Sequence, residues 1–183
     1  MKQESQIIFE RNSVEFVTVA AEFCAFIERC ERKKRTEFVD TLLKILPLLY
    51  IKASMLSECE VMGDDGLETF VTEDDYEVIR INIQELLADR DDYLDVFVDD
   101  MKYSDTPIRK SIAEDLADIY QVTKDFVCQF RSGLNGTMHD ALAQCRDLFM
   151  EYWGQTLVNT MRALHEVKYC KSDEEEEDFL YND

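Results

Sequence analysis

Glycine and proline are scarce in this chain, five and two among 183 residues. Turns draw heavily on both, so few turns are available and the elements between them must be long. Sandwiches and barrels, which need many tight turns, are thereby disfavoured against helices. Histidine is scarcer still, with only His139 and His165. A di-iron site in a bundle needs two Glu-x-x-His motifs, but the positions three before these histidines hold Gly136 and Arg162. The six cysteines contain no C-x-x-C pair and no zinc-like pairing with histidine. His139-Asp140 resembles the His-Asp pair of metal-dependent phosphohydrolases, but that chemistry needs more histidines than the chain supplies. No Gly-x-Ser-x-Gly turn and no phosphate-cradling glycine loop occurs. The acid-rich stretch Asp89–Asp100 fails as a calcium loop, because Tyr93 and Leu94 fall where an oxygen ligand and glycine are required. No metal, cofactor or enzymatic activity is therefore expected, although a triad assembled from distant residues stays open.

Long apolar runs are also missing. The longest, Ile45 to Ile51, is too short to span a bilayer, and the first residues hold no apolar export core. A cytoplasmic setting is expected, with Cys24, Cys30, Cys59, Cys128, Cys145 and Cys170 as reduced, mostly buried thiols. Positive charge is in deficit: 20 Lys and Arg against 40 Asp and Glu give a net charge of -20. Such a field repels nucleic acids and anionic membranes and favours a basic protein partner. The one dense basic cluster is Arg29, Arg32, Lys33, Lys34 and Arg35. It falls where one helix should end, and cations there complement the helix dipole.

What is present is helical periodicity. Asn12 and Glu15 have capping-box spacing ahead of Phe16, Val19, Phe23, Ile27 and Cys30. A second helix opens near Thr36. Its stripe, Phe38, Leu42, Ile45, Leu49 and Leu56, is widened by Leu43, Leu46, Leu48 and Ile51, which predicts a central helix buried on most sides and kinked at Pro47. The alternative is two helices meeting at Leu46-Pro47. Thr72 before Glu73-Asp74-Asp75 reads as the N-cap of a third helix through Tyr76, Ile79, Ile83 and Leu87. Residues 89–103 read as extended or irregular, packed by Tyr93, Leu94 and Phe97. Thr106-Pro107 reads as the start of a helix ending at Ser132-Gly133. Thr137 then caps the last and longest helix, which Gly154 could bend. Residues 171–183, with Glu174 to Glu177, read as an acidic tail unable to bury itself, carrying Phe179, Leu180 and Tyr181. The expected fold is all-α: an up-and-down-like bundle of about five to six helices over residues 1–170, one helix kinked at Pro47, followed by the acidic C-terminal tail.

Three stretches carry a family resemblance: Leu46 to Ala53, Glu114 to Tyr120, and Tyr152 to His165. Their order and spacing resemble the DUF5063 family of uncharacterised bacterial helical domains, over most of the chain from the first helix to His165. Many members of that family carry histidine on either side of the Trp-Gly pair, where this chain has Tyr152 and Thr156. The resemblance implies a helical fold and a bacterial cytoplasmic setting. It implies no activity, and any reaction that depends on those histidines should be absent here.

One constellation of polar residues sits on otherwise apolar faces: Asp115, Asp118, Tyr120, Trp153, Arg162 and His165. Asp115 and Asp118 are one helical turn apart. Arg162 lies on the last helix, which the short Gly133–Gly136 connection should bring alongside. An arginine clamped by both carboxylates would be a structural network, whereas one left beside Tyr120 and Trp153 would line a binding pocket. His165 is expected at the inner edge of its helix, satisfied by hydrogen bonds. The functional reading is a non-catalytic interaction or regulatory domain with an acidic surface. Two alternatives stay open: a small-molecule-binding or enzymatic domain with a pocket between the last two helices, and an immunity-type or nucleic-acid-mimicking inhibitor of a basic partner. The oligomeric state is not legible.

Overall fold

The computed structural model describes residues 4–63, 66–95 and 108–170. A short helix α1 (Glu4–Ile7) precedes α2 (Arg11–Ile27) and α3 (Arg35–Ser54). Next come α4 (Glu73–Leu87), strands β1 (Asp92–Leu94) and β2 (Arg109–Ser111), α5 (Ile112–Phe130), α6 (Asn135–Leu148) and α7 (Gly154–Tyr169). A single π-helical turn, Phe149–Trp153, joins α6 to α7 without a break. The fold is all-α, and among the described residues one two-stranded antiparallel ribbon pairs Asp92 with Ser111, Tyr93 with Lys110 and Leu94 with Arg109.

The centre of the bundle is α5, not α3. It packs against α2, α4, α6 and α7. Ala113 and Ala117, both fully buried, let its neighbours approach closely. α3 packs against α2 and α7, and its wide apolar stripe is only half used. Leu48 and Ile51 are 51% and 50% exposed, while Leu42, Leu46 and Leu49 are sealed. The helix runs unbroken through Pro47, so two helices meeting there are ruled out.

Several helix starts depart from the local signals. α2 begins at Arg11 with no side-chain cap. Asn12 instead donates to the Lys52 carbonyl (3.4 Å), and Glu15 pairs with Arg11 and Lys52. α6 begins at Asn135 without a side-chain cap, so Thr137 lies inside it. α5 begins at Ile112 rather than at Thr106-Pro107, which lie outside the described residues. Its cap is Ser111, whose hydroxyl accepts from the Glu114 amide at 3.1 Å. Asp91, from the turn before β1, reinforces that cap. Its carboxylate accepts from the Ser111 hydroxyl (2.7 Å) and the Ala113 amide (2.8 Å), while its carbonyl takes the Ile112 amide (2.9 Å). Two otherwise orphaned amides at the helix start, those of Ile112 and Ala113, are thus satisfied from outside the helix. Thr72 is the expected N-cap of α4 and forms a reciprocal capping box with Asp75.

The bend expected at Gly154 is the π turn. A Cβ on Gly154 would lie 2.5 Å from the Phe149 carbonyl oxygen and 2.9 Å from its ring, so the turn can close only over a bare Cα. Gly133 takes a left-handed φ of 71° after α5, as its position predicted. The connection from α3 to α4 is strapped down by side chains of α5 and α6. Asp125 accepts from the Phe70 and Val71 amides (2.7 and 2.9 Å), Gln129 donates to the Glu68 carbonyl (2.7 Å), and Asp140 accepts from the Met62 and Gly63 amides (2.8 and 3.0 Å). Burial alone would raise the Asp140 carboxyl. The Met62 amide, His139 and the Gly63 amide outweigh it and hold the group below its ordinary range. His139-Asp140 is therefore a loop anchor, with His139 itself buried.

Cys24, Cys30, Cys59 and Cys145 are buried, as expected of mostly buried thiols, while Cys128 is half-buried and Cys170 is exposed. Among the described residues no helix is long and apolar enough to cross a membrane. Residues 92–94 of the ambiguous 89–103 stretch form β1, where Tyr93 is buried but Leu94 points out, 54% exposed. Phe97 and the acidic tail 171–183 lie outside the described residues.

Candidate functional site

The predicted constellation divides into separate environments along α5. Asp115, 3% exposed, faces the ribbon and α7. Its Oδ2 accepts the Tyr93 hydroxyl and, at 3.4 Å, the Thr160 hydroxyl, and Lys110 Nζ stands 3.9 Å from Oδ1. Burial pushes the carboxyl up to about 6, against the opposing pull of Tyr93, Lys110 and Thr160 and with added repulsion from Asp118. The same burial, with Asp115 beside it, raises the Tyr93 phenol.

Asp118, one turn along, is half-buried and faces α4 and the π turn. Its two oxygens accept the Tyr76 hydroxyl (2.8 Å) and the Tyr152 hydroxyl. Burial first, and the carboxylate second, raise both phenols. Tyr152 reaches Asp118 because the π turn rotates it there. Thr156 is buried with its hydroxyl on the Tyr152 carbonyl (3.3 Å), and Thr160 repeats the pattern onto Thr156 (2.8 Å).

Arg162 is not clamped by the two aspartates. Its Nη2 donates to the Leu94 carbonyl (2.6 Å), Nη1 donates to Glu166 (3.4 Å), and the guanidinium lies 5.8 Å from the Tyr93 ring centroid. It touches the Asp115 cluster only through Tyr93. Trp153 lines no pocket with it. The indole is fully buried, stacks on Phe16, meets Phe149 edge-on, and donates to the Cys145 carbonyl (3.1 Å). His165 is exposed rather than on the inner edge, with its ring against Tyr169 at 4.6 Å.

Tyr120 belongs to a different feature. Its hydroxyl donates to Glu28 Oε1 (3.0 Å), which also holds Lys124. Burial and then Glu28 raise the phenol. This group forms one wall of a surface groove of about 510 Å³ between α4, the end of α2 and α5. The floor is Val71 and Ile79, the flanks are Phe70 (43% exposed) and Val78 (56% exposed), and Glu28, Glu31 and Asp75 stand on the rim. A separate cleft of about 250 Å³ lies between α5 and α6, lined by Gln121, Asp125, Gln129 and Gln144 among others. It contains none of the six predicted residues. Among the described residues no group of three or more His, Cys, Asp or Glu is placed to hold a metal ion.

Sequence reasoning missed Tyr76, Tyr93, Tyr152 and Thr160. Tyr152 and Thr160 lie in the third family stretch, and Tyr76 and Tyr93 were read only as packing residues. Tyr76, Tyr93 and Thr160 lie 42, 22 and 45 residues from the aspartates they serve, beyond the reach of helical periodicity.

The family model described as "Domain of unknown function (DUF5063)" matches residues 7–170, and the chain belongs to that family. The crystal structure of protein BF1032 from Bacteroides fragilis is similar to it, with 59% sequence identity, 91% of this chain and 98% of that chain covered, and a TM-score of 0.83. No curated protein matches the chain.

Proposed function

We propose that this DUF5063 member is a non-catalytic interaction module of the cytoplasm, and that its groove between α4 and the end of α2 takes a basic, apolar-bearing segment of a partner protein. The observation that carries this reading is the groove's chemistry. Two apolar side chains, Phe70 and Val78, stand exposed at its flanks, with Glu28, Glu31 and Asp75 around them. Exposed apolar surface inside a charged rim is the usual composition of a recognition patch. The overall charge of -20 adds long-range steering of a cationic partner. The groove is also held in shape: the Thr72–Asp75 capping box fixes α4, and Asp125 fixes the Phe70 and Val71 backbone.

The test compares partner capture by the full chain with capture by Val78→Asp and Phe70→Ser, both surface changes, at about 50 and 500 mM salt. The expected result is a partner retained by the parent chain, released at high salt and lost by both variants, with helical content unchanged. Equal capture by parent and variants, or capture indifferent to salt, contradicts the reading.

The cleft between α5 and α6 supports a second reading, a small polar ligand held by Gln121 and Gln144. A thermal-shift screen of metabolites separates the two. A saturable rise in Tm that Gln144→Leu abolishes favours the cleft.

A further inference from the structure

We propose that the outer face of α3 docks a second copy of this chain, the two α3 helices running antiparallel about a two-fold axis. Leu48, Ile51 and Met55 are each half exposed or more, and they stay uncovered among the described residues. With Lys44 they form one line along the helix at spacings of four, three and four residues, the spacing of a helix–helix seam. α2 and α7 pack on α3 from its other side, where Leu42, Leu46 and Leu49 are sealed.

The order of residues along the seam fits a copy of itself. Reversal about the midpoint between Leu48 and Ile51 carries Leu48 onto Ile51 and Lys44 onto Met55. The line is therefore complementary to itself run backwards, as an isologous two-fold contact requires. A parallel pairing would instead set Lys44 against Lys44.

Charge selects the same face. The chain holds 40 carboxylate side chains, yet residues 41–57 contain none, the longest such stretch. Residues 152–165, in the π turn and α7, also contain none. These two stretches adjoin, because α3 packs on α7, and Leu43 joins Val158 and Met161 in an open hollow of about 450 Å³ beside the seam. The acids nearest the start of the seam are already held: Asp40 by Lys44 and Lys168, and Glu37 by Lys33. Glu58 comes only after the helix has ended. Two molecules of net charge -20 repel each other at long range, so their contact belongs where free carboxylates are absent. Exposed apolar side chains on such a surface supply the attraction. Salt screens the repulsion and leaves the apolar contact intact, so this association strengthens with salt. The α4 groove, which attracts a basic partner, has the opposite salt dependence, and either inference can fail alone.

Sedimentation equilibrium of the full chain tests the proposal, at about 10 to 300 μM, the range of weak specific contacts. Reducing conditions keep the exposed Cys170 from linking copies. The expected result is a monomer–dimer equilibrium that tightens at least about threefold between about 50 and 500 mM salt. Leu48→Glu and Ile51→Glu should each weaken it at least about tenfold with helical content unchanged. Val78→Asp, which adds the same charge on α4, should leave it unchanged. Met55→Lys, which sets a lysine against Lys44 of the other copy, should weaken it, and Lys44→Glu in the same chain should restore it. A monomer at every concentration and salt, a dimer that loosens with salt, or a dimer indifferent to Ile51→Glu would each overturn the proposal. Failure of Lys44→Glu to rescue Met55→Lys would overturn the antiparallel register.

Discussion

Asp115 and Asp118 sit one turn apart on the same helix, and each accepts hydrogen bonds from two hydroxyls, yet they occupy different physical worlds. Asp115 is sealed beneath the ribbon, with Tyr93 and Thr160 as partners and Lys110 nearly 4 Å away. Asp118 faces half-open surface, and Tyr76 and Tyr152 reach it from α4 and the π turn. For the sealed site, desolvation exceeds all its favourable contacts, and the carboxyl rises to about 6. Partner number alone does not describe a buried carboxylate. What decides its energy is whether water can replace a partner that is lost.

The comparison can be broken most forcefully at Gly154. Gly154→Ala places a methyl 2.5 Å from the Phe149 carbonyl oxygen. The π turn must then open or shift, carrying Tyr152 away from Asp118 and disturbing Trp153. A loss of about 3 kcal/mol is expected, at the upper end of overpacking costs. Urea denaturation measures it, and a loss below about 1 kcal/mol would mean that the turn is not needed to place Tyr152.

The next effect is pH-dependent and concerns Asp115. Its folded value, about 6, lies above its ordinary value of 3.8. Asp115 therefore holds an extra proton in the folded protein between these values, and its own contribution to stability falls as pH rises through that window. Asp115 contributes on the order of 2–3 kcal/mol to that fall. Asp115→Asn removes this contribution, so denaturation midpoints measured from pH 4 to 7 should lose that part of their slope; a slope unchanged in Asp115→Asn would contradict the assignment.

Smaller effects grade the two sites. Tyr93→Phe deprives a sealed carboxylate of its nearest donor and should cost about 1–3 kcal/mol. Tyr152→Phe, where water can reach Asp118, should cost less than about 1 kcal/mol. Equal losses in the two variants, by the same urea measurement, would erase the distinction between the sites.

How much of this was legible follows from the range of the interactions. The α4 cap was readable because Thr72 and Asp75 are three residues apart. The start of α5 was not, because Asp91 fixes Ser111 and Ala113 from 20 and 22 residues away. Thr106-Pro107 offered a stronger local signal at the wrong place. The stripe on α3 overstated its burial, since periodicity reports which side chains could pack and not whether a neighbour arrives to cover Leu48 and Ile51. Gly154 was legible as a break in a long helix, although its reason, the Phe149 carbonyl, appears only in three dimensions. Asp115 and Asp118 stood out as polar residues on an apolar helix, but nothing in the sequence pairs Tyr76, Tyr93 or Tyr152 with them. Arg162 looked like their natural partner by charge, yet it satisfies the Leu94 carbonyl instead.

The account rests on burial outweighing hydrogen bonding at Asp115. Carbon-13 NMR of the aspartate side-chain carboxyls, assigned by the loss of one resonance in Asp115→Asn, follows that group directly through a pH titration. A midpoint near 6 is the predicted result; a midpoint at or below 4 would show that Tyr93, Thr160 and Lys110 fully compensate the lost water and would contradict it.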